Sequence, residues 1–267
     1  MISGRDLSMV EKAVGIVEKA SSKGVTLRLL GALAVFVRVR DCSECLEAMV
    51  SLERLGTGSL FTDIDLAGYS KQRKHIRRFF EEELGFEPDF YVNRLFGDRR
   101  LIFQDPRDGV KVDVFLDKLE FSHDVVLKGR LEMDYPTIAL DDLILEKLQI
   151  HEINWKDLVD LAVLFARYDV CREPSRDCIN GKRIASILAD DWGFWYDAMS
   201  NLERLERLLE KSVASGRVSG SLASRVSDRV ARLKTMISEE PKTKKWVKRS
   251  KIGTSKPWYR RVEEVSR

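Results

Sequence analysis

Two short runs place carboxylates inside β-rich, apolar sequence: Thr62-Asp63-Ile64-Asp65-Leu66 and Lys111-Val112-Asp113-Val114-Phe115. Residues two apart on a strand share a face, so Asp63 and Asp65 project together. If the later run lies beside the first, Asp113 joins them. Three anions that close repel unless a cation sits among them. Hard divalent ions such as Mg²⁺ take oxygen ligands, and Mg²⁺ binds through one or two carboxylates plus substrate phosphates. A pair of such ions stabilises both the attacking and the leaving oxygen of a phosphoryl-type displacement. Alternating Asp is also the pattern of a solvated edge strand, and an isolated Asp-x-Asp does not separate the two readings.

The elements around these residues carry the next part of the argument. Leu7, Val10, Val14 and Val17 predict a helix over the first twenty residues, stopped by Lys23-Gly24. Residues 25–30 read as a short strand halted by Gly31, followed by helices from Ala32 and over 44–55. Gly56-Thr57-Gly58-Ser59 is a loop by composition. Residues 61–69 read as a strand, and Ser70 as the N-cap of a helix carrying Ile76, Phe79, Phe80 and Leu84, with Gly85 as its end. Strands at 99–104 and 110–116 flank Asp105-Pro106-Arg107-Asp108-Gly109, a hairpin signal. This alternation predicts an α/β (α+β) fold, a mixed sheet with flanking helices.

After Pro136 the strand signals stop. Stripes at Leu140/Leu143/Ile144/Leu148, Trp155/Leu158/Val159/Ala162/Phe165, Met199/Leu202/Leu205/Leu209 and Leu222/Val226/Val230/Leu233/Ile237 predict a helical bundle, with a loop over 171–180. The expected organisation is a core over 1–136, a helical domain over 137–240 and a basic tail over 241–267.

In this setting the chain resembles the nucleotidyltransferase superfamily, the polymerase-β-like fold shared with aminoglycoside nucleotidyltransferases and the toxins of abortive-infection systems. The resemblance rests on Leu29-Leu30-Gly31-Ala32-Leu33-Ala34, then Asp63-Ile64-Asp65, then Asp113. Gly97-Asp98-Arg99-Arg100-Leu101-Ile102-Phe103, Pro136-Thr137-Ile138, Lys147-Leu148-Gln149-Ile150, Lys156-Asp157-Leu158-Val159-Asp160 and Asp190-Asp191-Trp192-Gly193 look like an uncharacterised prokaryotic branch of it. It covers roughly residues 25–209. It implies transfer of an NMP from an NTP to an acceptor hydroxyl, with two Mg²⁺ ions. Asp63 and Asp65 are implied as ligands of both ions. Asp113 is implied as a ligand of the second and as acceptor of the hydroxyl proton. Gly31 and Ala32 would meet the triphosphate at a helix start, and Lys147, Lys156, Asp157 and Asp160 match the nucleotide-binding element of the toxin branch. Their plainer reading is a helix surface, with Glu146 and Lys156 as solvated charges and Asp160, one turn from Asp157, exposed. That branch also brings ATP or another NTP as donor and an antitoxin as partner. Two features depart from the pattern: Ala32 stands where a Ser is usual, and the gap from Gly31 to Asp63 is long.

Composition sets the outer bounds. Of 267 residues, 44% are hydrophobic and 33% charged, which excludes a disordered or collagen-like chain. The longest apolar run, residues 29–37, is far short of the ~20 a membrane-spanning helix needs, and the N-terminus lacks the order of a secretory signal. A cytoplasmic protein without a membrane partner is expected. Asn (four) and Gln (three) are scarce, a leaning towards a heat-adapted source.

The net charge of +3 conceals two unlike parts, because residues 241–267 hold ten Lys/Arg against two Glu and so leave −5 on the preceding 240. Lys242–Arg261 interleaves Trp246, Trp258 and Tyr259 with nine cations and no acid. That suits RNA, through phosphate attraction and base stacking, and makes RNA or tRNA the favoured acceptor over protein or a small molecule. A disordered solvated tail, or one whose Trp residues dock on the acidic body, is the plainer alternative. Two further functional readings stand beside the enzyme: a binding or regulatory protein that has lost the chemistry, and a nucleic-acid-binding module led by the tail. Cys42-x-x-Cys45 with Cys171 and Cys178 is a conceivable four-thiolate zinc set but departs from the usual spacing, which favours ordinary thiols, with a disulfide open if the source is a hyperthermophile. His75, His123 and His151 are scattered, with no nucleophile context around them.

Overall fold

A computed structural model describes residues 3–54, 61–173 and 175–261. The chain forms two compact units: Met1–Arg38, Leu55–Leu119 and Val126–Ala139 make one, and Val39–Arg54, Glu120–Val125 and Leu140–Arg267 the other. The loop expected at Gly56-Thr57-Gly58-Ser59 lies outside the described residues.

The first unit is built on a mixed five-stranded sheet. Its strands are β1 (Leu27–Leu29), β2 (Asp63–Gly68), β3 (Glu87–Pro88), β4 (Arg100–Gln104) and β5 (Lys111–Leu116), in the order β1-β2-β5-β4-β3. β2 and β5 run parallel, while the β1–β2, β4–β5 and β3–β4 pairs are antiparallel. Alternation along the strands divides the sheet. Ile64, Leu66, Leu101, Phe103, Val112 and Val114 turn to one face, where none is more than 1% exposed. Asp63, Asp65 and Asp113 turn to the other.

Helix α1 (Gly4–Ser22) opens with a capping box between Ser3 and Asp6. Its core face is Met9, Val10, Ala13, Ile16, Val17 and Ala20, while Leu7 is exposed. The face is therefore rotated from the expected stripe, because Met9, Ala13 and Ile16 fill positions that Leu7 and Val14 were expected to hold. Helix α2 (Gly31–Val39) follows β1 directly. Helix α4 (Arg73–Arg78) is preceded by a 3-10 turn at Ser70–Gln72 and continued by a π turn at Phe79–Glu83. Ser70 does not cap this run. It lies inside the first turn, where its hydroxyl donates to Asp117 at 2.5 Å and its amide to the same carboxylate at 3.2 Å. Helix α5 (Phe90–Leu95) is pinned to β4 by Asn93, which donates to and accepts from the backbone of Ile102 at 2.9 and 2.7 Å.

The second unit is mostly helical. It contains α3 (Ser43–Ser51), α6 (Leu140–Leu148), α7 (Trp155–Arg167), α8 (Gly181–Asp190), α9 (Trp192–Ala214), α10 (Gly220–Glu239) and α11 (Lys244–Ser250). Strand structure does not stop at Pro136: at the two ends of the expected loop, Asp169–Cys171 pairs in parallel with Cys178–Asn180. Cys171 and Cys178 bridge this ribbon by a disulfide, and a second disulfide joins Cys42 to Cys45, so no cysteine is free. Among the described residues no helix is long and apolar enough to cross a membrane.

The β4–β5 hairpin is fixed to α1 through Asp105, which is 1% exposed and accepts from Lys12 at 2.5 Å and from Arg107 at 2.8 and 2.6 Å. The Arg107 and Lys12 hydrogen bonds hold this carboxyl well below its ordinary value, against the effect of burial. A depressed carboxyl stabilises the fold fully above its unfolded value and loses that contribution as pH falls towards the folded one. Asp105→Asn should therefore cost about 2–3 kcal/mol at neutral pH. In urea unfolding the gap to wild type should narrow below the ordinary value of 3.8; a pH-independent gap would contradict this account.

Candidate functional site

The parallel register of β2 with β5 sets Asp65 directly opposite Asp113 and Asp63 opposite Lys111. Asp63 is exposed, Asp65 half-buried and Asp113 only 4% exposed. Leu30 donates its amide to the carbonyl of Asp65 at 3.1 Å, which brings the first turn of α2 beside this carboxylate. Gly31 has φ +66°, and a Cβ there would lie 2.8 Å from Asp65 Oδ2. Glycine is required twice over, by backbone conformation and by close approach. The sheet thus brings Asp63, Asp65, Asp113, Gly31 and Ala32 to one region of the first unit.

A cation already stands among the carboxylates. Arg100 on β4 donates through Nε to both oxygens of Asp113, at 2.7 and 2.8 Å, and its Nη2 also bonds Oδ2. Its guanidinium lies 5.1 Å from the Phe115 ring centroid. Burial lowers the affinity of Arg100 for its proton, but Asp113, Asp65 and Asp63 together raise it above the usual value. Burial pushes the Asp113 carboxyl up, even against the Arg100 hydrogen bonds. Among the described residues no group of three or more His, Cys, Asp or Glu is placed to hold a metal ion. Asp63, Asp65 and Asp113 nonetheless share one face of the sheet, with Gly31 cleared beside Asp65, and carboxylate oxygens are the donor type a hard divalent cation takes.

The other predicted residues lie in the second unit. Lys147 on α6 is 6% exposed and bonds Asp157 at 2.9 Å, with Asp160 at 3.3 Å and Glu146 at 3.5 Å. Burial lowers its basicity, but Asp157, Glu146 and Asp160 outweigh that and hold it firmly protonated. Asp160 is not an exposed helix residue: it is fully buried and clamped by Arg54 at 2.6 and 3.0 Å. Glu146, expected on a solvated surface, is also buried. Lys156 is exposed. Lys147 and Asp157 line a cleft of about 680 Å³ together with His151, Asn154, Tyr259 and Arg260.

Behind that cleft stands a polar centre that sequence reading did not find. Asp197, 2% exposed on α9, accepts from Trp258 Nε1 at 3.0 Å and pairs with His123 Nε2 at 2.7 Å and His151 Nδ1 at 2.8 Å. Burial pushes this carboxyl up, but the bonds from His123, Trp258 and His151 hold it below its usual value. Tyr259 stacks on His151 at 3.5 Å between ring centroids, and Trp246 meets Trp195 edge-on at 5.2 Å. The three aromatic residues offered for base stacking are thus engaged within the unit. No spacing rule links positions 123, 151, 197 and 258, so only the fold reveals their meeting. The nearest sequence signal was Gly193, where a Cβ would come 2.5 Å from the carbonyl of Trp258.

No family model matches the chain, and neither a curated protein nor a solved structure does.

Arg100→Gln tests the carboxylates as a cation site. Removing the guanidinium should cost about 1–3 kcal/mol, and Mg²⁺ should restore part of it. At ten times its Kd, a ligand bound only to the folded state adds about 1.4 kcal/mol, so Mg²⁺ should raise the Tm of the variant more than that of wild type. A variant indifferent to Mg²⁺ would argue against the site.

Proposed function

We propose that this chain is a Mg²⁺-dependent nucleotidyltransferase that moves an NMP from an NTP to an acceptor hydroxyl and releases pyrophosphate. The observation that carries the reading is the in-register placement of Asp65 opposite Asp113, with Asp63 on the same face and Gly31 against Asp65. Asp63, Asp65 and Asp113 are the residues that would hold two Mg²⁺ ions. Bound there, the ions supply charge neutralisation at the transferring phosphoryl group.

The rest of the work falls to the chain itself. The backbone N–H groups at the start of α2 hold the triphosphate, aided by the positive end of the helix dipole. Ala32 adds no hydroxyl, so that contact is made by backbone alone. Asp113 accepts the proton of the attacking hydroxyl, and the upward push of burial on its carboxyl raises its basicity for that role. Arg100 must release Asp113 for this, and its guanidinium then stands free to pair with a phosphate oxygen. Lys147 and Asp160 are occupied by protein partners, which supports a role in holding the wall of their cleft. Asp157, bonded to Lys147, shares that role, and exposed Lys156 keeps the nucleotide assignment. Exposed Lys244, Lys248, Lys251 and Lys256 support an acceptor rich in phosphate, such as RNA or tRNA. An antitoxin partner follows from the toxin-like reading alone.

The bidentate Arg100–Asp113 pair, together with Ala32, favours one second reading: a protein that keeps the fold for binding or regulation without the chemistry. Mg²⁺-dependent NTP binding separates the two, because only the enzyme requires it. For the main reading, Asp63→Ala and Asp113→Asn should each lower label transfer from NTP to total RNA or cell protein by at least about a hundredfold, with circular dichroism unchanged. Undiminished transfer in either variant would overturn the site.

A further inference from the structure

Neither the carboxylate face nor the cleft makes use of Cys42-Ser43-Glu44-Cys45. Cys42 is the N-cap of α3, with extended backbone (φ −107°, ψ 96°), and its sulfur accepts the Cys45 amide at 3.3 Å. Cys42 is half-buried, whereas Cys45 is 0% exposed. The two sulfurs of one bond therefore differ in access: reagents in solution reach Cys42 and not Cys45. Cys171 and Cys178 show no such asymmetry, since both are half-buried and sit on paired strands.

The helix start also favours a thiolate at Cys42. The amide of Cys45 points at its sulfur, and the partial positive charge of a helix N-terminus stabilises an anion there. As a staple the bond does little, because its partners are three residues apart and short loops constrain the unfolded chain least. Nor does the start of α3 depend on it. Leu46 donates to the Cys42 carbonyl at 3.0 Å, and Cys42 donates to the Val39 carbonyl at 2.9 Å.

We propose that Cys42–Cys45 is a thiol–disulfide exchange site whose co-reactant is a dithiol, with Cys42 the exchanging sulfur and Cys45 the resolving one. A thiolate of the dithiol attacks Cys42 Sγ. The Cys42–Cys45 bond breaks, and Cys45 leaves as a thiolate and takes a proton. The second thiol of the reagent then attacks its own sulfur in the mixed disulfide and expels Cys42 as a thiolate. Two electrons and two protons pass from the dithiol, which closes to a disulfide, to the two cysteines. The same steps in reverse oxidise a dithiol. This site stands whether or not the chain transfers nucleotides.

The test uses the full chain, with peptide mapping to keep Cys171 and Cys178 apart. In reduced wild type under native conditions, a brief pulse of iodoacetamide should label Cys42 at least about tenfold faster than Cys45. Cys45→Ser incubated with glutathione disulfide should gain one glutathionyl group at Cys42, released by dithiothreitol; Cys42→Ser should gain none at Cys45. Equal labelling of Cys42 and Cys45, glutathionylation of Cys45, or none at Cys42 would overturn the proposal. The labelling arm decides the matter by itself if a variant misfolds, because it uses the natural chain.

Discussion

The parallel, in-register pairing of β2 with β5 is the constraint on which the carboxylate face of the first unit rests. A strand has a side-chain period of two, so a slip of one residue would turn Asp113 to the apolar face and Val112 or Val114 towards Asp65. Complete burial of Val112, Val114, Ile64 and Leu66 forbids that slip. The hydrophobic face thereby fixes the position of the carboxylates it never touches. Having gathered three anions, the same register demands a counter-charge, and Arg100 supplies it from the next strand. Its reach depends on the antiparallel β4–β5 pairing that sets Ile102 opposite Asp113.

The second unit solves a different electrostatic problem. Asp141, Asp142, Glu146 and Lys147 on α6 are all buried. Arg183 pairs with Asp141 at 3.1 Å and Asp142 at 2.9 Å, while Lys147 and Arg54 neutralise Asp157 and Asp160. Replacing buried ion pairs by well-packed apolar side chains is often neutral or stabilising, so these charges are poor explanations of stability. What they do is fix position. Lys147 can satisfy its acidic neighbours only where α6 and α7 are held together, and that holds one wall of the cleft beside Asp157.

The architecture was readable where periodicity reports burial. The strands at 63–68, 100–104 and 111–116 and the later helices follow directly from alternating or helical apolar spacing. The Asp63/Asp65 face was readable for the same reason. Arg100 was visible only as one of several basic residues, because its partner lies across a strand pair and not at a fixed spacing. Ser70 misled because a hydroxyl before a helix caps an end or bonds a distant carboxylate equally well, and here Asp117 takes it. Asp160 misled in the opposite way: its place one turn from Asp157 suggested solvent, yet Arg54, over a hundred residues earlier, buries it. Charged residues carry no signature of burial in local sequence, since their partners come from anywhere in the chain.

The basic C-terminal segment shows how far this changes a functional argument. By composition it joined cations and aromatic rings in one run, the combination that binds unpaired bases. Folding separates the two. Trp258 is drawn in by Asp197 and seated against Gly193, Tyr259 lies on His151, and Thr243 is fastened by its amide to the Ala189 carbonyl at 3.0 Å. The lysines stay outside. A surface with charge but without free rings attracts the phosphate backbone and does not read bases. Any nucleic acid met there would be held by a salt-sensitive, sequence-blind contact.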